Sequence, residues 1–337
     1  MRPLAGLILS LCMATVLPAA KTLDFYFIDV EGGQATLIVT PSKQSLLVDA
    51  GWAGFNKRDA ERIKAAAKSA GIKNIDYLAM THYHNDHVGG IPQIAAMLPV
   101  KNFVDHGPNN ETSKGAKELT EAYDEVVKTG NHMVMKPGDK IPLKGLDVTI
   151  VAANGVTLSS ALPGGGAANS LCASAPQFKE DKSENARSLG FVLTFGKFRF
   201  IDLGDLTSAK EMNLVCPNNL LGTVDVYLTT HHGLDASNAQ AIVHALHPRV
   251  AIMNNGAKKG GVPAAWKIIK DSPGLEDIWQ VHFANAGGKE TNVPDPMIAN
   301  ITEDTDEGKA LKLSASDDGS FVVTNTRNKY TKTYAKK

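Results

Sequence analysis

The chain is poor in cysteine, balanced in charge and nearly free of long apolar runs, and each scarcity narrows its chemistry. Only three cysteines occur in 337 residues. Cys12 lies in an apolar N-terminal stretch, behind a Leu11 too large for a lipidation site, and Cys172 and Cys216 stand far apart in sequence. Neither joins a cluster with metal-like spacing, which excludes a thiolate-built centre. The two remain a candidate disulfide of an oxidising compartment. Lysine plus arginine number 35 and aspartate plus glutamate 35. Residues 1–20 contain only Arg2 among these, so 34 basic groups face 35 acidic ones in the remainder, a net of −1. That balance excludes a general nucleic-acid-coating surface, though not a local basic site.

One apolar stretch stands out, Leu4 to Leu17, with Arg2 before it and Pro18-Ala19-Ala20 behind. This is the layout of a secretory signal peptide rather than of a bilayer span. Cleavage near Ala20 and a secreted or periplasmic product are expected. No later segment is apolar for long enough to cross a membrane. With 43% hydrophobic residues, positions 21–325 can bury a large core as one domain. The basic tail, 326–337, is expected to fray.

What the chain does contain is concentrated in Thr81-His82-Tyr83-His84-Asn85-Asp86-His87-Val88-Gly89-Gly90. Three imidazoles and a carboxylate fall between positions 82 and 87, directly after the apolar run Ile75 to Met80. Imidazole and carboxylate together suit zinc, iron or manganese without help from sulfur. His82 and His84 are two apart, so an extended strand end points both to one side. Asp86 and His87 follow on the turn and reach a second position. One short loop can thus contribute to two divalent metal ions. The competing reading is a solvated His-rich loop.

The surrounding pattern alternates strands and helices. Strands are predicted at Leu23–Val30, Gln34–Thr40 and Ser45–Asp49, then an amphipathic helix at Lys57–Ala70. Further helices are predicted near Ile91–Leu98 and Ser113–Thr129. Residues 154–185 read as a long loop, which in a compact domain is often functional or mobile. A hairpin through Gly196-Lys197 follows, then alternating strands and helices as far as His282. Residues 285–308 read as irregular, before a last hairpin around Asp318-Gly319. Three more segments put polar groups at the end of an apolar strand, where α/β folds build their sites. These are Asp49 after Leu46-Leu47-Val48, Asp205 after Phe200-Ile201-Asp202-Leu203-Gly204, and His231-His232 after Tyr227-Leu228-Thr229-Thr230.

His82-x-His84-x-Asp86-His87 with Asp49, Asp205 and His232 resembles the metallo-β-lactamase-fold hydrolase superfamily. Phe27-Ile-Asp-Val-Glu-Gly-Gly-Gln-Ala35, Asn185-x-x-Ser188, Leu203-Gly-Asp205 and Thr230-His-His-Gly233 resemble the hydrolase domain of ComEC-type competence proteins. Phosphorylcholine esterases share the His-His-Gly element. The resemblance implies an α/β (α+β) fold, a four-layer αββα sandwich with metals at one edge. It implies His82 and His84 on a first ion, Asp86, His87 and His232 on a second, and Asp205 on both. Asp49 would accept an N–H from a ligand imidazole and fix its tautomer. Two departures stand out. Many members supply a further histidine to the first ion where this chain has Asn185, so that position is expected to be open, or completed by Asn185 or water. True β-lactamases lack the bridging aspartate that Asp205 supplies, which argues against β-lactams as substrates.

The expected chemistry is hydrolysis by metal-activated water, with Asp86 orienting the nucleophile and taking its proton. His231 is a candidate to hydrogen-bond the developing oxyanion. Trp52 is expected to wall the pocket, and Lys258 and Lys259 to flank it as phosphate-binding cations. His106, His132, His244, His247 and His282 lack metal-like spacing and are read as structural. A phosphodiesterase or nuclease-like enzyme is the leading reading. A lactone or ester hydrolase, and a non-catalytic metal-binding accessory of DNA uptake, are the alternatives.

Overall fold

In the computed structural model, which describes residues 22–303 and 308–337, the predicted strands assemble into two large mixed sheets. The expected signal peptide lies outside the described residues. The first sheet is centred on Leu23–Phe27, Thr36–Val39 and Ser45–Val48. From Ser45–Val48 outward its neighbours Ile75–Ala79, Val100–Asp105 and Asn131–Val134 run parallel. In the second sheet Phe198–Asp202, Val226–Leu228, Val250–Met253 and Asp277–His282 run parallel in turn.

The apolar runs explain the stacking. Phe25, Phe27, Ile38, Leu46 and Val48 of the first sheet pack against Val148, Ile150, Phe191, Phe200 and Ile252 of the second, all buried. Each sheet also buries its other face. Helix Arg58–Ala70 turns Ala60, Ile63 and Ala67, at helical spacing, onto Leu37, Leu47 and Leu78. Ser113 accepts a hydrogen bond from Ala116 N at 3.1 Å to start helix Lys114–Val127, which covers the same face with Tyr123 and Val127. Helices Ser208–Val215, Gln240–Leu246 and Pro263–Lys270 cover the second sheet through Leu214, Ile242, Leu246 and Ile269. The order of layers is α, β, β, α, as the resemblance implied. Asp49, His82, Asp205 and His231-His232 all follow the carboxyl ends of parallel strands, which meet at one edge. That is where open parallel sheets hold ligands.

Two expectations need correction. The basic tail does not fray: Thr331–Tyr334 is an edge strand paired antiparallel with Phe321–Asn325. Its anchor is one aromatic. Tyr334 stacks on Phe321 at 4.6 Å, donates to Asp277 Oδ2 at 2.7 Å and accepts from Trp279 Nε1 at 2.8 Å. Charge count hid this: Lys336 and Lys337 are exposed, but Lys332 lies over the Tyr334 ring and pairs with the same Asp277 carboxylate. Within the stretch expected to be irregular, Ile298–Asn300 extends the second sheet beside Asp277–His282.

The long loop is clasped rather than loose. Ala167–Ala168 pairs with Asn218–Asn219, and Cys172 is bonded to Cys216 with Cα atoms 5.7 Å apart. Closing a 44-residue separation restricts the unfolded chain by about 4 kcal/mol on the chain-entropy estimate. Reduction, or joint replacement of both cysteines by alanine, is expected to lower unfolding free energy by about that amount in urea. An unchanged midpoint would show that the bond adds nothing.

Candidate metal centre

The centre is built from a brace outward. Asp49 ends its strand with φ at 57°, a left-handed turn that aspartate tolerates. Its buried carboxylate accepts from Thr81 N and Thr81 Oγ1, each at 2.7 Å, and from His87 Nδ1 at 2.7 Å. Holding the proton on Nδ1 turns the Nε2 lone pair of His87 toward the centre. The one-turn helix Asn85–Val88 sets Asp86 and His87 side by side. Gly33 lies against this turn so closely that a Cβ there would sit 2.3 Å from Asp86 O. Only glycine allows that approach.

Four donor atoms then converge. Asp86 Oδ2 lies 3.2 Å from His87 Nε2 and 3.3 Å from His232 Nε2. Asp205 Oδ1 lies 3.3 Å from each of the same two nitrogens, which are themselves 3.3 Å apart. A tetrahedral ion with bonds of about 2.0–2.1 Å separates its donors by about 3.3–3.4 Å. The set therefore fits a divalent ion closely. Asp205 Oδ1 has no hydrogen-bond partner, although it is buried. Burial alone would raise the pKa values of Asp86 and Asp205, but His87 and His232 hold both carboxyls well below the usual range. Two ionised carboxylates kept from water need positive charge beside them, which the imidazoles and Lys259 supply in this arrangement and a bound divalent ion would supply in their place.

A second set opens on the other oxygen of Asp205. Oδ2 lies 3.2 Å from His231 Nε2 and 3.9 Å from His82 Nε2. His82 is fully buried, its Nε2 has no hydrogen-bond partner, and burial with the neighbouring His87 keeps the imidazole neutral. Burial likewise pushes His231 down to about 4. The His84 ring is 4.6 Å from that of His82, but its Nε2 pairs with Glu111 Oε1 at 3.2 Å. The buried His/Asp cluster is thus suited to two ions that share Asp205.

The other expected residues divide. Lys259 pairs with Asp86 Oδ2 and lies 5.3 Å from the centroid of the Trp52 ring, so both border the centre. Lys258 does not: it pairs with Glu303 at 2.6 Å, with a side chain 79% exposed. The two lysines sit on a bend of the chain and reach different partners, so Lys259 borders the centre and Lys258 does not. Asn185 Oδ1 is buried without a hydrogen-bond partner.

A family model described as the metallo-beta-lactamase superfamily matches residues 28–179. The chain carries the metallo-β-lactamase fold. ComE operon protein 3 of Bacillus subtilis is 25% identical over 194 residues, 55% of this chain and 20% of that protein. Hydroxyacylglutathione hydrolase of Erwinia tasmaniensis is 33% identical over 81 residues, 24% of this chain and 26% of the enzyme. The chain thus spans about a fifth to a quarter of the length of these curated relatives. The metallo-beta-lactamase fold protein YhfI of Bacillus subtilis superposes over 77% of this chain and 96% of its own, with a TM-score of 0.48 and 11% identity.

Within this metallo-β-lactamase-fold chain, several supporting residues escaped sequence reading. Buried Glu184 accepts from His106 Nε2 at 2.8 Å and from Tyr83 N at 3.3 Å, bracing the His-rich loop from behind. Burial opposes its charge, but His106 and backbone N–H groups hold its pKa below the usual range. His106 follows the strand Val100–Asp105, the same signal that marked Asp49 and Asp205. Gln34 donates to Asp202 Oδ2 at 2.8 Å, and Asp202 Oδ1 accepts from Gly204 N at 2.9 Å, which shapes the turn aiming Asp205.

A separate trio, Asp29, Glu31 and His282, has donor atoms close enough for an ion. It is an ion-pair network instead, because Arg62 Nη1 reaches Asp29 Oδ2 at 2.9 Å and Glu31 Oε1 at 3.2 Å. Burial disfavours the charged form of His282, yet the Asp29 and Glu31 carboxylates raise its pKa to about 9. A raised folded value stabilises fully below the unfolded pKa of about 6.5 and is lost as pH climbs through about 9. The shift corresponds to about 3 kcal/mol. Urea unfolding at pH 6 and pH 10 should show a loss of that order, largely abolished in His282→Gln. Equal pH dependence in both proteins would refute the assignment.

Proposed function

We propose that this protein hydrolyses phosphodiesters with water activated by two divalent ions, zinc by preference, with manganese or iron as alternatives. The observation that carries the reading is the placement of Lys259 against Asp86 at the rim of the paired donor sets. A phosphodiester is anionic before reaction and gains charge in the transition state, whereas esters and lactones start neutral. A fixed ammonium beside the ions favours the former. When bound, the ions would polarise the phosphoryl group and lower the pKa of water to about 7. The residues do the rest. Asp205 keeps the two donor sets in register, Asp86 orients the attacking water and accepts its proton, Lys259 pairs with a phosphoryl oxygen, and Trp52 excludes solvent from one side.

Hydrolysis of esters or thioesters is the second reading. The matched relatives include a hydroxyacylglutathione hydrolase. A cavity of about 250 Å³ lined by Leu171, Pro176, Phe178, Met212 and Ile268 also reaches Ser237, which touches His231. Export is proposed as well, from the N-terminal layout and the Cys172–Cys216 bond, which suits an oxidising compartment.

Zinc- and manganese-loaded protein would be offered bis-p-nitrophenyl phosphate, single-stranded DNA, S-lactoylglutathione, a lactone panel and nitrocefin. Phosphodiester turnover is expected, with Lys259→Ala raising KM for the phosphodiester about tenfold through loss of one charge-assisted hydrogen bond. Turnover confined to the thioester or the lactones would overturn the proposal.

A further inference from the structure

We propose that His231 is a ligand of the first ion, beside His82 on the second oxygen of Asp205. The inference rests on the two-ion reading but not on any substrate. Asp205 presents its two oxygens to two imidazole sets: Oδ1 faces His87 and His232 at 3.3 Å each, and Oδ2 faces His231 at 3.2 Å and His82 at 3.9 Å. Neighbouring residues ordinarily point apart. His231 and His232 reach the two oxygens of one carboxylate because both adopt left-handed backbone, with φ of 53° and 56°. Two successive non-glycine residues in that region are rare, and such strain persists where surrounding structure enforces it, often at functional sites.

The tautomer points the same way. His231 Nδ1 lies 3.3 Å from Ser237 Oγ, to which an N–H there can donate. That leaves a lone pair on Nε2, aimed beside Asp205 Oδ2. An oxyanion donor would need its hydrogen on Nε2. With a cation on Oδ2, that hydrogen would point into positive charge, so the lone-pair form is the one that fits. His84 is the weaker claimant to the same position, because its Nε2 lies on Glu111 and its side chain is 30% exposed. His82, His231 and Asp205 therefore form the inner part of the first site, with His84 at its rim.

Metal titration and the visible spectrum of cobalt-loaded full-length protein test this without any substrate. Wild type should bind two equivalents. His231→Ala and the bulk-preserving His231→Gln should each keep one tight equivalent and bind the other at least tenfold more weakly. The cobalt bands of that second equivalent should change, and free imidazole should restore them in His231→Ala. The tight ion retained on Asp86, His87 and His232 reports that each variant has folded. Two equivalents at wild-type affinity with unchanged bands in both variants would overturn the assignment and make His231 a substrate-facing group. A wild type that binds one ion would overturn the two-ion reading and this assignment together. Failure to cleave phosphodiesters would touch neither.

Discussion

Asp205→Ala is expected to leave at most one loosely held ion and to cost nearly all turnover. Its carboxylate touches both donor sets, through Oδ1 on one side and Oδ2 on the other. Without it, Asp86, His87 and His232 still converge, but the first set loses its anionic member and keeps imidazoles only. A neutral set with one charged ligand fewer binds divalent ions much more weakly. At most one loosely held equivalent should remain by atomic absorption after dialysis. Because bound ions would supply several kcal/mol of transition-state stabilisation, hydrolysis should fall roughly 10³-fold or more. Asp205→Asn preserves the shape and separates lost charge from lost packing, and it should show nearly the same defect. Chelation of the wild type should reproduce both. Full turnover by metal-free protein would sink the scheme.

Much of this was legible because the ligands cluster in sequence. His82, His84, Asp86 and His87 share one loop, and Asp49, Asp205 and His231-His232 each end an apolar strand. Parallel pairing brings those strand ends to one edge, so a rule about strand ends was enough to gather them. What the sequence hid is whatever depends on direction. Lys258 and Lys259 are equivalent as text, yet one meets Asp86 and the other Glu303. His231 and His232 are likewise adjacent, and only their left-handed backbone shows that they serve opposite oxygens of Asp205. Glu184 was hidden for another reason. It precedes Asn185 in a segment that reads as polar loop, and its value lies in partners 78 and 101 residues away. The tail misled because composition counts its lysines and overlooks a single buried Tyr334.

Asp49 offers the sharpest test of the brace, because it touches no ion in this arrangement. Asp49→Asn can keep the left-handed turn, since asparagine also tolerates positive φ. It cannot keep the hydrogen bonds. Thr81 N donates to one oxygen, and Thr81 Oγ1 and His87 Nδ1 address the other. An amide offers one acceptor, so its NH2 must face at least one buried donor. Either Thr81 N is left unpaired, or His87 surrenders the proton on Nδ1 and its Nε2 lone pair with it. The first outcome costs stability, about 1–3 kcal/mol for a buried unsatisfied group. The second costs metal, about 10–100-fold in affinity at the set formed by Asp86, His87, His232 and Asp205. Urea unfolding and metal titration of the same variant therefore show which donor loses. A variant that matches wild type in both would mean that His87 is aimed by packing alone and that Asp49 braces nothing.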